Sequence, residues 1–414
     1  MISTRSVSAR QIEGGVTAPA GFRAAGVSCG IKRRPAGSAP APLDFALVAA
    51  DEPVSAAAVF TTNKAVAAPI VVSREHLSKS GGRARVIAVN SGCANACTGD
   101  AGMQVARDMA TAAADAIGCA PEHVLIASTG VIGVPLDLGK IRAGVTAASA
   151  ALSVEGHEAA TRAIMTTDPF PKAYAVVVDT PSGPITVGGI AKGSGMIEPR
   201  MATMLAFLTT DAKVEPGVLS QALRHVVDRS FNAITVDGEC STNDCVFAMA
   251  SGRSGVVVSR ADDPAFLEAL GAVAGHLARE IVRGGEGATK LVTVHVTGAA
   301  THDDAWLAAR TIANSPLVKT AIHGGDPNWG RLVAAAGRSG AAFNLDRASV
   351  TIGAVPLFTN GVPHDERASE AAEVLQEKTV TVAVDLGTGG AHDATMWTCD
   401  FSAEYVRINA EYRT

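Results

Sequence analysis

Lys192-Gly-Ser-Gly-Met-Ile-Glu-Pro-Arg-Met-Ala-Thr203-Met-Leu-Ala-Phe207 is the stretch on which the fold turns. Gly193 and Gly195 permit unusual backbone angles and Pro199 fixes φ, so the first part suits a tight turn. The apolar run that begins at Thr203 has the length and composition of a buried strand. Two readings follow. One is an ordinary Gly-rich loop leading into a strand, which local chemistry alone favours. The other is a site where the chain cuts itself before Thr203. An N-terminal threonine carries its own base, because its free α-amine can accept the proton of its hydroxyl. That amine has an ordinary pKa of about 7.7 to 8.0, a good value for a general base. Distant segments decide between the two.

With 414 residues, of which 47% are hydrophobic, the chain can bury a large core, in two lobes or one layered domain. Aromatics are only 4%, and the dominance of Ala, Val and Gly suits closely packed α/β layers. A net charge of −5 with interspersed signs offers no basic stripe for nucleic acid and no polybasic segment for a membrane. The N-terminus lacks an apolar signal region, and no apolar run approaches the roughly 18 residues of a membrane span. The expected location is cytoplasmic, and small-molecule chemistry is the expected business. The cysteines at 29, 93, 97, 119, 240, 245 and 399 are odd in number and sparse, so they read as reduced thiols. Neither Cys93 with Cys97 nor Cys240 with Cys245 has the short spacing of a zinc knuckle.

Strand patterns alternate with helix patterns, without a repeat or a flexible linker. Strands are expected at 86–90, 175–180, 185–191, 203–209, 234–237, 246–250, 292–297 and 379–386. Asp263-Pro264 is an N-cap followed by proline in the first turn, and Phe266, Leu270, Val273, Leu277 and Ile281 share one face of the helix it starts. Further helices are expected over 216–227, 102–117 and 304–313. The fold class is therefore α/β (α+β), with sheets flanked by helices.

Five segments bear on chemistry. Ser128-Thr129-Gly130 follows an apolar run, so a strand delivers a Thr-Gly turn that reads as a plain turn or as an oxyanion hole. Gly284-Gly-Glu286-Gly-Ala-Thr-Lys290 lacks the Gly-Lys order of a Walker motif. Glu286 reads there as a solvated loop acid or as a carboxylate offered to an ammonium group. The segments Asn232 to Asp244 and Asp326-Pro-Asn-Trp-Gly-Arg331 are rich in short polar side chains that either line a pocket or satisfy turns. Asn90-Ser-Gly-Cys-Ala-Asn-Ala-Cys-Thr-Gly99 carries the same ambiguity.

Taken together, these segments resemble the ornithine acetyltransferase family, the bifunctional glutamate N-acetyltransferases and amino-acid acetyltransferases of arginine biosynthesis. The resemblance runs from Gly15-Val-Thr-Ala-Pro through Phe60-Thr-Thr-Asn-Lys64, Ser128-Thr-Gly-Val-Ile-Gly133, Thr166-Thr-Asp168, Lys192-Gly-Ser-Gly-Met-Ile and Met201-Ala-Thr-Met-Leu. It continues through Thr235-Val-Asp-Gly and Asp326-Pro-Asn-Trp-Gly-Arg331 to Asn409-Ala-Glu-Tyr-Arg-Thr414. It implies a layered αββα sandwich like that of self-cleaving aminopeptidases, with a second α/β lobe. It also implies cleavage between Ala202 and Thr203, giving an α chain of 1–202 and a β chain of 203–414 that fold together, as an α2β2 assembly.

By the same resemblance, Thr203 is the nucleophile, Thr129 and Gly130 form the oxyanion hole, and Thr166, Lys192, Thr203, Glu286, Asn409 and Thr414 bind substrate. The implied reaction is ping-pong: acetyl passes from N-acetylornithine to Thr203, ornithine leaves, and glutamate takes the acetyl group to give N-acetylglutamate. No cofactor or metal is implied, and acetyl-CoA is a possible further donor. The alternatives are a self-cleaving aminopeptidase or amidase that uses water as acceptor, and an uncut, non-catalytic paralogue. The chain departs from the family pattern at Glu198 and Arg200, which add charge beside the cut, at Pro169 beside Asp168, and at Thr398, where a glycine is expected.

Overall fold

The strand Phe45–Phe60 organises the molecule, because its side chains alternate between two cores. Phe45, Leu47 and Ala49 face one, while Ala46, Val48 and Ala50 face the other, as the period of two in a pleated strand requires. The computed structural model describes residues 8–32, 41–198 and 204–411. Among them a sheet of nine strands runs in the order Arg10–Ile12, Lys172–Thr180, Gly183–Lys192, Leu205–Thr210, Cys245–Ala250, Phe45–Phe60, Arg83–Cys93, Val124–Val131, with Phe22–Val27 paired to the early part of Phe45–Phe60.

The sheet folds back on itself. Residues 45–49 pair with Arg83–Cys93 in one register, an irregularity separates Ala49 from Val54, and residues 55–60 pair with Cys245–Ala250. Phe22, Val48, Ile87 and Leu125 from one half then pack in a single core with Ile190, Phe207 and Phe247 from the other. The outer face of one half is covered by Ala68–Lys79, Gly99–Ile117 and Leu138–Ala150. Pro216–Asp228 and Pro264–Arg283 cover the other. Helix, sheet, sheet and helix make the expected αββα sandwich, with the two sheets continuous through one bent strand.

The helix Pro264–Arg283 forms as its sequence dictates. Asp263 Oδ1 accepts the Phe266 N–H at 2.9 Å, proline occupies the first turn, and Phe266, Leu270, Val273, Leu277 and Ile281 are buried. Each such side chain contributes about 1.5 to 3 kcal/mol by leaving water. A second lobe holds a sheet in the order Val362–Pro363, Val355–Thr359, Ser349–Ile352, Thr379–Asp385, Leu291–Ala299, His392–Cys399, with its own core. The last helix, Ala403–Glu411, returns from this lobe to the first.

Two expectations about strands need correction. Residues 234–237 are not a strand: apart from an isolated bridge between Ile234 and Trp397, they run irregularly after the short helix Phe231–Ala233. Their polar groups serve other segments, since Thr235 bonds Glu198 and Asp237 bonds the amides of Met196 and Ile197. The strand expected from position 203 spans Leu205–Thr210.

Candidate active site

Thr129 and Gly130 are not the expected turn: both lie within the strand Val124–Val131, paired with Ser91 and Gly92 beside a distortion of the parallel neighbour at Gly92 and Cys93. Gly130 has φ +126°, and a Cβ there would stand 2.4 Å from the Gly92 carbonyl carbon, so no other residue fits. Two asparagines clamp this end of the strand. Asn90 Oδ1 accepts the Ser128 hydroxyl at 2.6 Å, and Asn243 Nδ2 donates to the Ser128 carbonyl at 2.9 Å and to that of Ala94 at 2.7 Å. The Asn-rich segments noted in the sequence thus brace this strand end, whereas Asp326 to Arg331 do not reach it. Asn328 there caps the helix Trp329–Gly337 in the second lobe.

Lys192 ends the strand Gly183–Lys192 and is 3% exposed. Its Nζ donates to Thr129 Oγ1 at 3.2 Å. Burial pulls the ammonium pKa down; Asp168, Asp244 and Glu286 act against that pull, and Lys172 adds to it. Asp168 ties the neighbourhood together. One oxygen accepts Lys172 Nζ at 2.6 Å and the Gly193 N–H at 2.7 Å, and the other accepts the Thr166 N–H at 3.0 Å. Burial alone would raise its pKa, but Lys172, Lys192 and the Gly193 amide hold it at about 2. Pro169 favours extended backbone at Asp168, and all three segments meet on this carboxylate.

Glu286 is delivered by the loop after Pro264–Arg283. That loop is docked on the stretch quoted at the outset: the Glu286 N–H donates to the Ser194 carbonyl at 2.8 Å, and the Ser194 hydroxyl donates to the Gly284 carbonyl at 2.6 Å. A Cβ on Gly195 would lie 2.4 Å from a Glu286 carboxylate oxygen, so glycine is what allows this approach. Asn409 Nδ2 donates to Glu286 Oε2 at 2.9 Å. Asp237, which the sequence reading left without a role, accepts the amides of Met196 at 2.6 Å and Ile197 at 2.8 Å and the Tyr405 hydroxyl at 3.1 Å. Burial pushes its pKa up, and these donors pull it back. The spacing of Tyr405 and Asn409, one helical turn apart, was the signal for their common face.

Thr129, Gly130, Thr166, Lys192, Glu286 and Asn409 all line one cavity of about 130 Å³, together with Asp237, Glu239 and Tyr405. Ala202, Thr203 and Thr414 lie outside the described residues. Met204 follows directly, and its N–H donates to Asp244 Oδ1 at 2.9 Å. The charged flank of the expected cut is partly accounted for. Glu198 is buried, with its carboxylate on Arg310 and, at 2.8 Å each, on Thr235 Oγ1 and Asn314 Nδ2. Arg200 lies outside the described residues. Thr398 is also used, since its hydroxyl accepts Lys319 Nζ at 2.9 Å in the second lobe.

Chemically, the cavity sets an ammonium and a carboxylate beside a hydroxyl and a strand-end glycine, a combination suited to a zwitterionic amino acid whose amide is under attack. No cluster of His, Cys, Asp and Glu that could hold a metal ion occurs among the described residues. None of their helices is long and apolar enough to cross a membrane.

The ArgJ family model matches residues 23–414. The arginine biosynthesis bifunctional protein ArgJ of Symbiobacterium thermophilum is 50% identical over 406 residues, 97% of this chain and 99% of the relative. That of Chlorobaculum tepidum is 49% identical over 397 residues, 96% of each. Among solved structures, ArgJ of Bacillus halodurans is 36% identical, covering 47% of this chain and 98% of that one, with a TM-score of 0.43. Ornithine acetyltransferase of Mycobacterium tuberculosis, complexed with ornithine, is 39% identical, covering 46% of this chain and 98% of that one, with a TM-score of 0.41.

Proposed function

The chain belongs to the ArgJ family, and on that premise we propose that it is an acetyltransferase of arginine biosynthesis. It moves acetyl from N-acetylornithine to glutamate through an acetyl ester on Thr203. The observation that carries this reading is the convergence of Thr129, Gly130, Thr166, Lys192, Glu286 and Asn409 on one cavity. The nucleophile is unmasked when the chain cuts itself between Ala202 and Thr203, and fragments 1–202 and 203–414 remain together as α and β chains in an α2β2 assembly.

In the cycle, the Thr203 α-amine accepts the proton of the Thr203 hydroxyl as oxygen attacks the acetyl carbonyl, then protonates the departing α-nitrogen of ornithine. Thr129 and the Gly130 N–H stabilise the oxyanion. Lys192 pairs with the substrate carboxylate and Glu286 with its ammonium group, and Thr166, Asn409 and Thr414 complete the enclosure. Glutamate then enters, and its α-amine takes the acetyl group. The cycle needs no metal or cofactor. Acetyl-CoA enters as an alternative donor that loads the same Thr203.

Acetylornithine consumption measured with and without glutamate tests the reading. Steady turnover that requires glutamate supports transfer, whereas equal turnover in its absence makes water the acceptor and the protein an amidase. Replacing acetylornithine with acetyl-CoA in the same assay decides the second donor.

A further inference from the structure

The helix Pro316–Gly324 belongs to the second lobe, yet two of its side chains hold the loops that supply acids to the cavity. Lys319 and His323 stand one helical turn apart and share a face. Lys319 is 3% exposed. Its Nζ donates to the Val236 carbonyl at 2.6 Å and to the Thr398 hydroxyl at 2.9 Å, and lies 3.7 Å from the Cys399 thiol. None of these partners is a carboxylate. Taking an ammonium out of water costs several kcal/mol, so stability is a weak reason for a lysine at this place, and what it touches supplies a better one. The Val236 carbonyl belongs to the planar peptide that carries the Asp237 nitrogen and Cα. Fixing that carbonyl fixes how Asp237 enters the cavity.

His323 acts on the other loop. Its Nδ1 donates to Asp400 Oδ2 at 2.7 Å, and Asp400 is 1% exposed. Asp400 Oδ1 accepts the amides of Thr289 at 2.7 Å and Lys290 at 2.8 Å, and Oδ2 accepts the Thr289 hydroxyl at 2.6 Å. These residues close the loop that presents Glu286. Asp237 and Glu286 both line the cavity, whereas Lys319 and His323 do not.

We propose that Lys319 and His323 are positioning residues through which one helix of the second lobe sets Asp237 and Glu286 relative to each other, and so fixes the fit of an amino-acid substrate. The proposal rests on the reading of this cavity as the acetyl-transfer site. Each side chain acts through the loop it holds, and a shift of about 1 Å in a binding group can lower catalytic efficiency by as much as about 100-fold.

Ornithine binding by calorimetry, and acetyl transfer from N-acetylornithine to glutamate, test this on the purified full-length protein and its variants. Lys319→Met keeps the length of the side chain and removes its donors. It is expected to weaken ornithine binding and raise KM for both substrates by about tenfold or more, with kcat nearly unchanged. His323→Ala, at a side chain 39% exposed, is expected to do the same by about fivefold, the loss of one hydrogen bond. His323→Asn keeps a donor near the place of Nδ1 and is expected to recover most of that loss. Lys319→Met combined with Asp237→Asn is expected to lose no more than the worse of the two alone, because both act at one group. Wild-type affinity in either Lys319→Met or His323→Ala overturns the proposal, as do losses that multiply in the double variant. His323→Ala decides the matter if Lys319→Met fails to fold. A wild-type protein that neither binds ornithine nor transfers acetyl overturns instead the reading on which the proposal rests.

Discussion

Thr129 has two bonding partners to serve in this account. Its hydroxyl oxygen accepts from Lys192, which leaves its hydrogen free to donate to an oxyanion. Thr129→Ala is therefore expected to lower kcat for acetyl transfer by about 10²- to 10³-fold, the usual cost of one such donor; an unchanged kcat would remove Thr129 from the mechanism. Asp168 makes a prediction about pH. Its folded pKa of about 2 lies below the ordinary value of 3.8, so its stabilising contribution is complete above that ordinary value and fades as pH falls towards 2. Wild type should lose on the order of 2 kcal/mol more stability than Asp168→Asn across that window, measured by denaturant unfolding. Equal losses would show that the carboxylate is not held by its lysines. At this scale the sequence singled out Thr129-Gly130 but misread its backbone, which is strand and not turn. Asp168, Asp237 and Asp244 were not legible as hubs, because their bonds reach backbone amides that sequence distance hides.

The helix Ala403–Glu411 has no buried residue, and its Arg407 pairs with Glu404 and Glu411 are exposed ion pairs that add little stability. What it contributes is Asn409 on Glu286 and Tyr405 on Asp237. Truncation after Ser402 should leave the melting temperature nearly unchanged and raise KM for acetylornithine and glutamate at least about tenfold, as the loss of one charge-assisted hydrogen bond would do. A normal KM in the truncated protein would exclude the C-terminal residues from binding. Helices with a cap and a clean apolar face, such as Pro264–Arg283, could be read from sequence alone. The strand Phe45–Phe60 could not, because the exposed Asp51 and Glu52 interrupt its apolar pattern at the bend between the layers. Residues 234–237 misled in the opposite way: their apolar alternation serves a turn that wraps Glu198 and the 196–197 amides.

Across the whole molecule, the expected α and β chains are interleaved in one sheet. Strands from residues 205–250 lie between Gly183–Lys192 on one side and Phe45–Phe60 on the other. The layered α/β class followed from composition and alternation, but this interleaving depends on pairings between distant strands that no local pattern announces. Fragments 1–202 and 203–414 should therefore copurify and unfold in one transition, separating only in denaturant. Separation of folded fragments by gel filtration would contradict that topology. The central claim is an acetyl group carried on a self-exposed threonine, and intact mass after incubation with N-acetylornithine, without glutamate, tests it most directly. The account predicts two fragments divided before Thr203, with one acetyl group added to 203–414 and none to 1–202. A single full-length chain, or a 203–414 fragment that never gains acetyl, would contradict it.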